Sequence, residues 1–223
     1  MNRNREKPFS IKLNETRDKV PLDGIDGYDK SICFPSAMWP VPGKDPAIFT
    51  PENTTPCTNE TIRRIFDTLP FRVGRCYDNA EILAAALLEH GIQARTFCGW
   101  LLYADTIPTH HAVVLVGEDQ VFDPATMDFS SMPPMAEGLS TAQVREAFAQ
   151  WVLKQQERPR SETYTFGQVF QRHIYIMAEL APKKAIALRQ KLERAYPKHP
   201  SFQSVLNGGY TALQTDLKKA GLS

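Results

Sequence analysis

Between residues 76 and 123 the hydrophobic pattern changes period once, and that change sets the fold class of the chain. The run Ala80, Ile82, Leu83, Ala84, Ala85, Ala86, Leu87, Leu88 is apolar nearly all round. It reads as a helix over 76–90, central and buried, with Gly91 as the left-handed residue just past its end. From Gln93 onward the residues are aromatic and β-branched and the loops are short. Three consecutive strands are expected, over 93–104, 111–116 and 120–123, the last two forming a hairpin across Gly117, Glu118 and Asp119. A buried helix packed on a small antiparallel sheet is an α+β arrangement.

The flanks differ from this centre. Residues 1–57 are dense in turn formers, among them Pro21, Asp23-Gly24, Asp26-Gly27, Pro35, Pro40, Pro42, Pro46, Pro51 and Pro56, which predicts an irregular N-terminal wrap. Phe34, Trp39 and Phe49 give that wrap something to pack with. A helix is expected over 58–69, with Thr58 as its N-cap, Ile62, Ile65, Phe66 and Leu69 on one face, and Pro70 as its stop. Beyond Met127 the pattern turns helical again. Ser140-Thr141-Ala142-Gln143 is a capping box opening a helix to about residue 156, and further helices are expected over 165–180, 183–196 and 210–220. The organisation that follows is a wrap (1–57), a core (58–135) and a C-terminal helical region packed on it (136–223), in one catalytic domain of 223 residues.

Charge excludes some partners. Lys plus Arg (26) and Asp plus Glu (25) nearly cancel, so neither nucleic acid nor a membrane is implied. The basic stretch 183–198 reads as a solvated helix face. The opening MNRNREKPFS has no apolar segment of the signal-peptide kind, and no run approaches about 18 apolar residues, so a cytoplasmic location is expected. Cys33, Cys57, Cys76 and Cys98 fit neither a metal knuckle nor a dense disulfide framework, and read as free thiols.

Chemistry concentrates in the middle. Cys76 stands at the first turn of the buried helix, where backbone N–H groups and the helix dipole favour a negative charge. Arg75 would add a positive charge if its side chain turned inward. The bland alternative is a small core residue. A nucleophilic thiol needs a base within about 3 Å and a third group that orients the imidazole, and the hairpin supplies both. If Gly117, Glu118 and Asp119 form a three-residue loop, Val116 pairs with Gln120, Val113 faces Asp123, and His111 shares that face. A two-residue loop would put His110 there instead. Trp100 and Tyr103 could line an acyl groove or serve as strand core, and Asn79, one turn after Cys76, could brace the loop before it or simply face water. His173 reads as a core-edge histidine on a helix. His110 and His111 point to opposite faces of one strand, a poor arrangement for a shared metal, so no metal and no cofactor are expected.

The segments Gly74-Arg75-Cys76-Tyr77-Asp78-Asn79-Ala80, Gly91-Ile92-Gln93-Ala94-Arg95, Gly99-Trp100, His111-Ala112-Val113 and Asp123-Pro124 resemble the core pattern of transglutaminase-like cysteine enzymes. Small bacterial and phage members of that superfamily carry a similar Cys-x-x-Asn-Ala, Gly-Trp, His-Ala-Trp, Asp-Pro-Thr signature. Val113 stands where the family often has Trp, and Ala125 separates Pro124 from Thr126. The resemblance covers roughly residues 73–127. It implies a papain- or transglutaminase-like core, with Cys76 as nucleophile, His111 as general base and Asp123 as orienting acid.

The activity implied is cysteine-dependent acyl transfer on a protein or peptide amide, of peptidase, amidase, glutamine deamidase or transglutaminase type. Two other functions compete. One is arylamine N-acetyltransferase-like acyl transfer, although the glycine-rich segment that usually follows that family's aspartate is missing after Asp123. The other is a non-catalytic binding protein that keeps the scaffold alone. Substrate, acceptor and oligomeric state are left open by the sequence.

Overall fold

The computed structural model describes residues 19–21, 31–33, 46–72, 74–103, 109–132 and 138–195. In chain order the elements are β1 (Lys19–Pro21), β2 (Ser31–Cys33), β3 (Ala47–Phe49), α1 (Glu60–Thr68), α2 (Cys76–Glu89), β4 (Ala94–Tyr103), β5 (Thr109–Val116) and β6 (Gln120–Met127). A 3-10 turn (Phe129–Ser131) follows, then α3 (Thr141–Gln155), α4 (Arg160–Thr163), β7 (Tyr164–Gly167), β8 (His173–Glu179) and α5 (Pro182–Ala195). Among the described residues the architecture is α+β: five helices and a curled antiparallel six-stranded sheet in the order β3-β8-β4-β5-β6-β7, with β1 and β2 paired separately.

Alternation along the strands divides the core in two. Cys98, Ala112, Val114 and Phe122 face α1 and α2, where they meet Ile62, Phe66, Leu83 and Leu87, and Trp151 and Val152 of α3 join the same cluster. Their sequence neighbours Phe97, Val113, Leu115 and Val121 point the other way, into a second cluster with Phe49, Leu101, Val169, Tyr175 and Met177. Each side of β5 is therefore buried, which is why the strand reads as an unbroken apolar run from Ala112 to Leu115.

The central expectations hold with small shifts. α2 starts at Cys76, and Gly91 adopts φ +74° beyond its end. The capping box at Ser140 and Gln143 is formed in both directions, and α5 lies within a residue of its expected bounds. The N-cap of α1 lies one residue later than expected, because the side chain of Asn59, and not that of Thr58, accepts from Thr61 N and Ile62 N. The helix expected over 210–220, and Phe34 and Trp39, lie outside the described residues.

Three expectations are corrected. α2 is not buried all round: Asn79, Ala80, Leu83 and Leu87 face inward, while Ile82 is 39% and Leu88 59% exposed. The segment 165–180 is not a helix but the strands β7 and β8. Its apolar residues fit a helical period because β8 is buried from His173 to Ala178 on both faces, which leaves no alternation to mark a strand. Gly167 sits at φ +86°, and a Cβ there would lie 2.3 Å from the backbone nitrogen of Cys57, so the chain passes in close contact with the 54–57 segment. Finally, part of the N-terminal stretch is regular: β3 pairs with β8 as an edge strand. Thr55 N donates to Asp119 O and Thr54 Oγ1 accepts from Val169 N, tying the segment to the β5–β6 hairpin and to the β7–β8 connection. The sheet thus draws strands from all three stretches of the sequence, because β3 and β8, far apart in the chain, complete the side of the sheet beyond β4.

Candidate active site

The β5–β6 hairpin decides between the two adjacent histidines. Val116 pairs with Gln120, Leu115 with Val121 and Val114 with Phe122, so the loop is the three-residue Gly117, Glu118, Asp119 and His111 shares a face with Asp123. His111 Nε2 lies 2.7 Å from Asp123 Oδ2, both side chains deeply buried. Thr126 Oγ1 also stands 3.2 Å from that nitrogen. Nε2 is so occupied, and Cys76, at the first turn of α2, stands near enough for its charge to act on the His111 ring. Directly across from His111 on β4 is Gly99, which puts no side chain beside the ring.

Asp123 is fully buried, and its carboxylate is met on both oxygens. Oδ1 accepts from Ala125 N at 2.9 Å and Thr126 N at 3.0 Å, the local turn that an Asp-Pro-x-Thr segment makes readily. Oδ2 accepts from His111 and from the hydroxyl of Tyr175 at 2.6 Å. Burial works against the ionised acid, but the charge and hydrogen bond of His111, then the bonds from Tyr175 and Ala125 N, outweigh it and hold Asp123 below its ordinary value. For His111, burial pulls downward, while the charge and hydrogen bond of Asp123 and those of Cys76 push harder, and the imidazole is raised to about 10. Tyr175 is driven well above its ordinary value, first by burial and then by Asp123, so it stays protonated and able to donate.

Asn79 joins the two halves of this arrangement. It is 1% exposed, accepts from Arg72 N at 3.0 Å, and donates to Arg72 O at 2.7 Å and to Pro124 O at 3.2 Å. The loop leading into Cys76 is thereby tied to the residue after Asp123, which is the bracing alternative and not the solvated one. Arg75 does not turn inward: its side chain is 58% exposed and pairs with Asp78 at 3.7 Å. It makes no side-chain hydrogen bond as the N-cap of α2.

The other candidates separate by face. His110 and Trp100 are paired across β4 and β5, ring against ring at 5.0 Å. His110 Nδ1 also meets the hydroxyl of Tyr77 from α2. Burial first, then Arg189 of α5 and His111, lower His110 to about 3, so it is neutral across the physiological range. Trp100 is fully buried core. Tyr103 packs on His173 at 4.6 Å between ring centroids and on Phe129 at 5.4 Å. His173 is 1% exposed, sits on β8 and not on a helix, and its Nε2 has no hydrogen-bond partner among the described residues, while its Nδ1–H donates to Gln171 O.

Sequence reasoning missed Tyr175 and the full role of Thr126. Thr126 could have been found from its place three residues after Asp123, where a turn returns its N–H to the carboxylate. Tyr175 is 52 residues away, and no local spacing connects them.

Among Cys57, Cys76 and Cys98, all free, Cys76 is the partly exposed one. Burial raises the thiol of Cys57, and burial followed by Cys76 pushes Cys98 to about 12. A cleft of about 440 Å3 opens at the β7 side between Pro51, Pro56, Tyr164, Phe166 and Phe170; Cys76, His111 and Asp123 do not line it. Among the described residues no three His, Cys, Asp or Glu side chains are grouped to hold a metal ion, and no helix is long and apolar enough to cross a membrane. Comparison of the chain with protein-family models, with curated proteins and with solved structures returns no match.

Proposed function

We propose that the chain is a cysteine-dependent acyl-transfer enzyme with a transglutaminase- or papain-like core, acting on a protein or peptide amide. One observation carries the reading: His111 is held through Nε2 on the buried Asp123 carboxylate, and Cys76, at the start of α2, is near enough for its charge to act on the same ring. In the proposed cycle the proton of Cys76 passes to His111, and the sulfur attacks the amide carbonyl carbon. The carbon–nitrogen bond then breaks, with the imidazolium proton leaving on the amine, and a thioester remains on Cys76. Water or a second amine adds to that thioester after His111 takes its proton, and the thiol is released. The backbone N–H of Cys76, at a helix N-terminus, is placed to stabilise the developing oxyanion.

The test is the pH dependence of iodoacetamide alkylation at Cys76, followed by peptide mass spectrometry, in the wild type and in His111→Ala. Cys57 and Cys98, both buried, serve as internal references. Reaction at Cys76 well below pH 7 that disappears without His111 supports the thiolate–imidazolium pair. Titration like an ordinary thiol near about pH 8.5 in both proteins sinks it and leaves the scaffold as a binding protein. Acetyl-CoA turnover would point instead to the N-acetyltransferase-like variant of the same chemistry.

A further inference from the structure

A carboxylate that is 0% exposed needs donors for its lone pairs, and Asp123 has four. Two come from its own turn and one from His111, all within the segment that resembles cysteine enzymes. The fourth comes from Tyr175 on β8, a strand outside that segment, which reaches the sheet only because β8 pairs with β4 and sets Tyr175 beside Leu101. The Tyr175 ring lies 6.1 Å from that of His111, and its hydroxyl contacts the same oxygen, Oδ2, that holds Nε2. Thr165 Oγ1 on β7 stands 3.5 Å from that hydroxyl. The phenol is thus poised over the charge that the imidazolium must share.

The titratable groups around Asp123 are His111 on β5, Tyr164 on β7, and His173 and Tyr175 on β8, with Cys76 acting through His111. Tyr164 is held protonated and uncharged, and His173 is lowered and neutral. His111 is therefore the group among them that carries positive charge at neutral pH. Among the described residues Tyr175 supplies the only hydroxyl bonded to the carboxylate, and nothing in the packing of a central strand requires a hydroxyl there: Tyr175 otherwise sits among Phe49, Leu101, Val113 and Met177.

We propose that Tyr175 is a positioning residue of the triad, whose hydroxyl keeps the buried Asp123 carboxylate ionised and directed at His111, so that the reactivity of Cys76 depends on β8. The inference rests on the acyl-transfer reading of Cys76, His111 and Asp123. Without the hydroxyl, the buried oxygen loses a donor that stabilises only the charged form, the acid holds a proton more readily, and the imidazolium loses part of its counter-charge.

Iodoacetamide alkylation of Cys76 against pH tests this in wild type, His111→Ala and Tyr175→Phe. The expected result is that Tyr175→Phe moves the midpoint of Cys76 reactivity up by about one pH unit, a tenfold loss of thiolate at a fixed pH below it. Site-specific replacement of Tyr175 by 3-fluorotyrosine keeps the ring and strengthens the donor; it covers the case in which Tyr175→Phe fails to fold. It is expected to move the midpoint down. A wild-type midpoint below pH 7 that His111→Ala removes, together with a midpoint that either Tyr175 variant leaves in place, overturns the inference and spares the acyl-transfer reading. A wild type without that low-pH reactivity overturns both. Loss of thermal stability alone, with the midpoint unchanged, counts as a packing role and against the proposal.

Discussion

The two faces of β5 treat the same side chain in opposite ways. On the face covered by α2 and α5, His110 is enclosed by Tyr77 and Trp100 with Arg189 nearby, and it has no carboxylate partner among the described residues, so it is held neutral. On the other face His111, one residue later, meets the buried Asp123 and holds its proton. Burial acts in the same direction on both. What differs is the charge placed next to the ring, and the comparison teaches that a histidine's chemistry is set by the face its strand register assigns it.

The strongest way to break the contrast is to remove the carboxylate. Asp123→Asn removes the buried counter-charge that holds the His111 proton, and about 3–5 kcal/mol of stability should be lost near pH 7, measured by chemical denaturation. The variant should also make His111 titrate more like His110, seen as loss of Cys76 alkylation below pH 7. Retention of wild-type stability would mean that the pair contributes little to the folded state.

A second prediction sharpens the contrast by pH. His111 has a folded value near 10 against about 6.5 unfolded, so its contribution is complete below 6.5 and is lost as pH rises toward 10. His110 has a folded value near 3, so the unfolded chain takes up a proton first as pH falls, and stability is lost between about 6.5 and 3. Each limb should slope by at most about 1.4 kcal/mol per pH unit. His111→Gln should flatten the limb between about pH 6.5 and 10, and His110→Gln the part of the acid limb due to His110; an exchange of these effects would reverse the assignment.

The smallest effect belongs to Asn79, which connects the α2 entry loop to the residue after Asp123. Asn79→Ala should cost about 2 kcal/mol through the lost hydrogen bonds to Arg72 and Pro124. Amide hydrogen exchange at Arg72 should rise, while His110 keeps its titration. Unchanged exchange would show that the loop is held by other contacts.

Much of the site was legible because it is local. The sequence narrowed the histidine to His111 or His110 within thirteen residues of the carboxylate, the three-residue loop 117–119 then selected His111, and the Asp-Pro-x-Thr segment carries its own turn. The Cys76 helix start and the Ser140 capping box were legible for the same reason. β7 and β8 were not, because a strand buried on both faces loses the alternation that distinguishes it from a helix. With β8 misread, Tyr175 could not be placed at all.

The sequence by itself determined the α2 start at Cys76, the three strands that follow, and the choice of His111 or His110 as the partner of Asp123, all of which depend on residues close in the chain; the observed register then selected His111. Tertiary structure decided the remainder: that β8 lies beside β4, that Tyr175 reaches Asp123 from 52 residues away, that Asn79 spans from Arg72 to Pro124, and that one face of α2 stays exposed. The physical reason is that these contacts satisfy buried polar groups across distant segments, and which donor meets which acceptor is set only when the sheet has assembled.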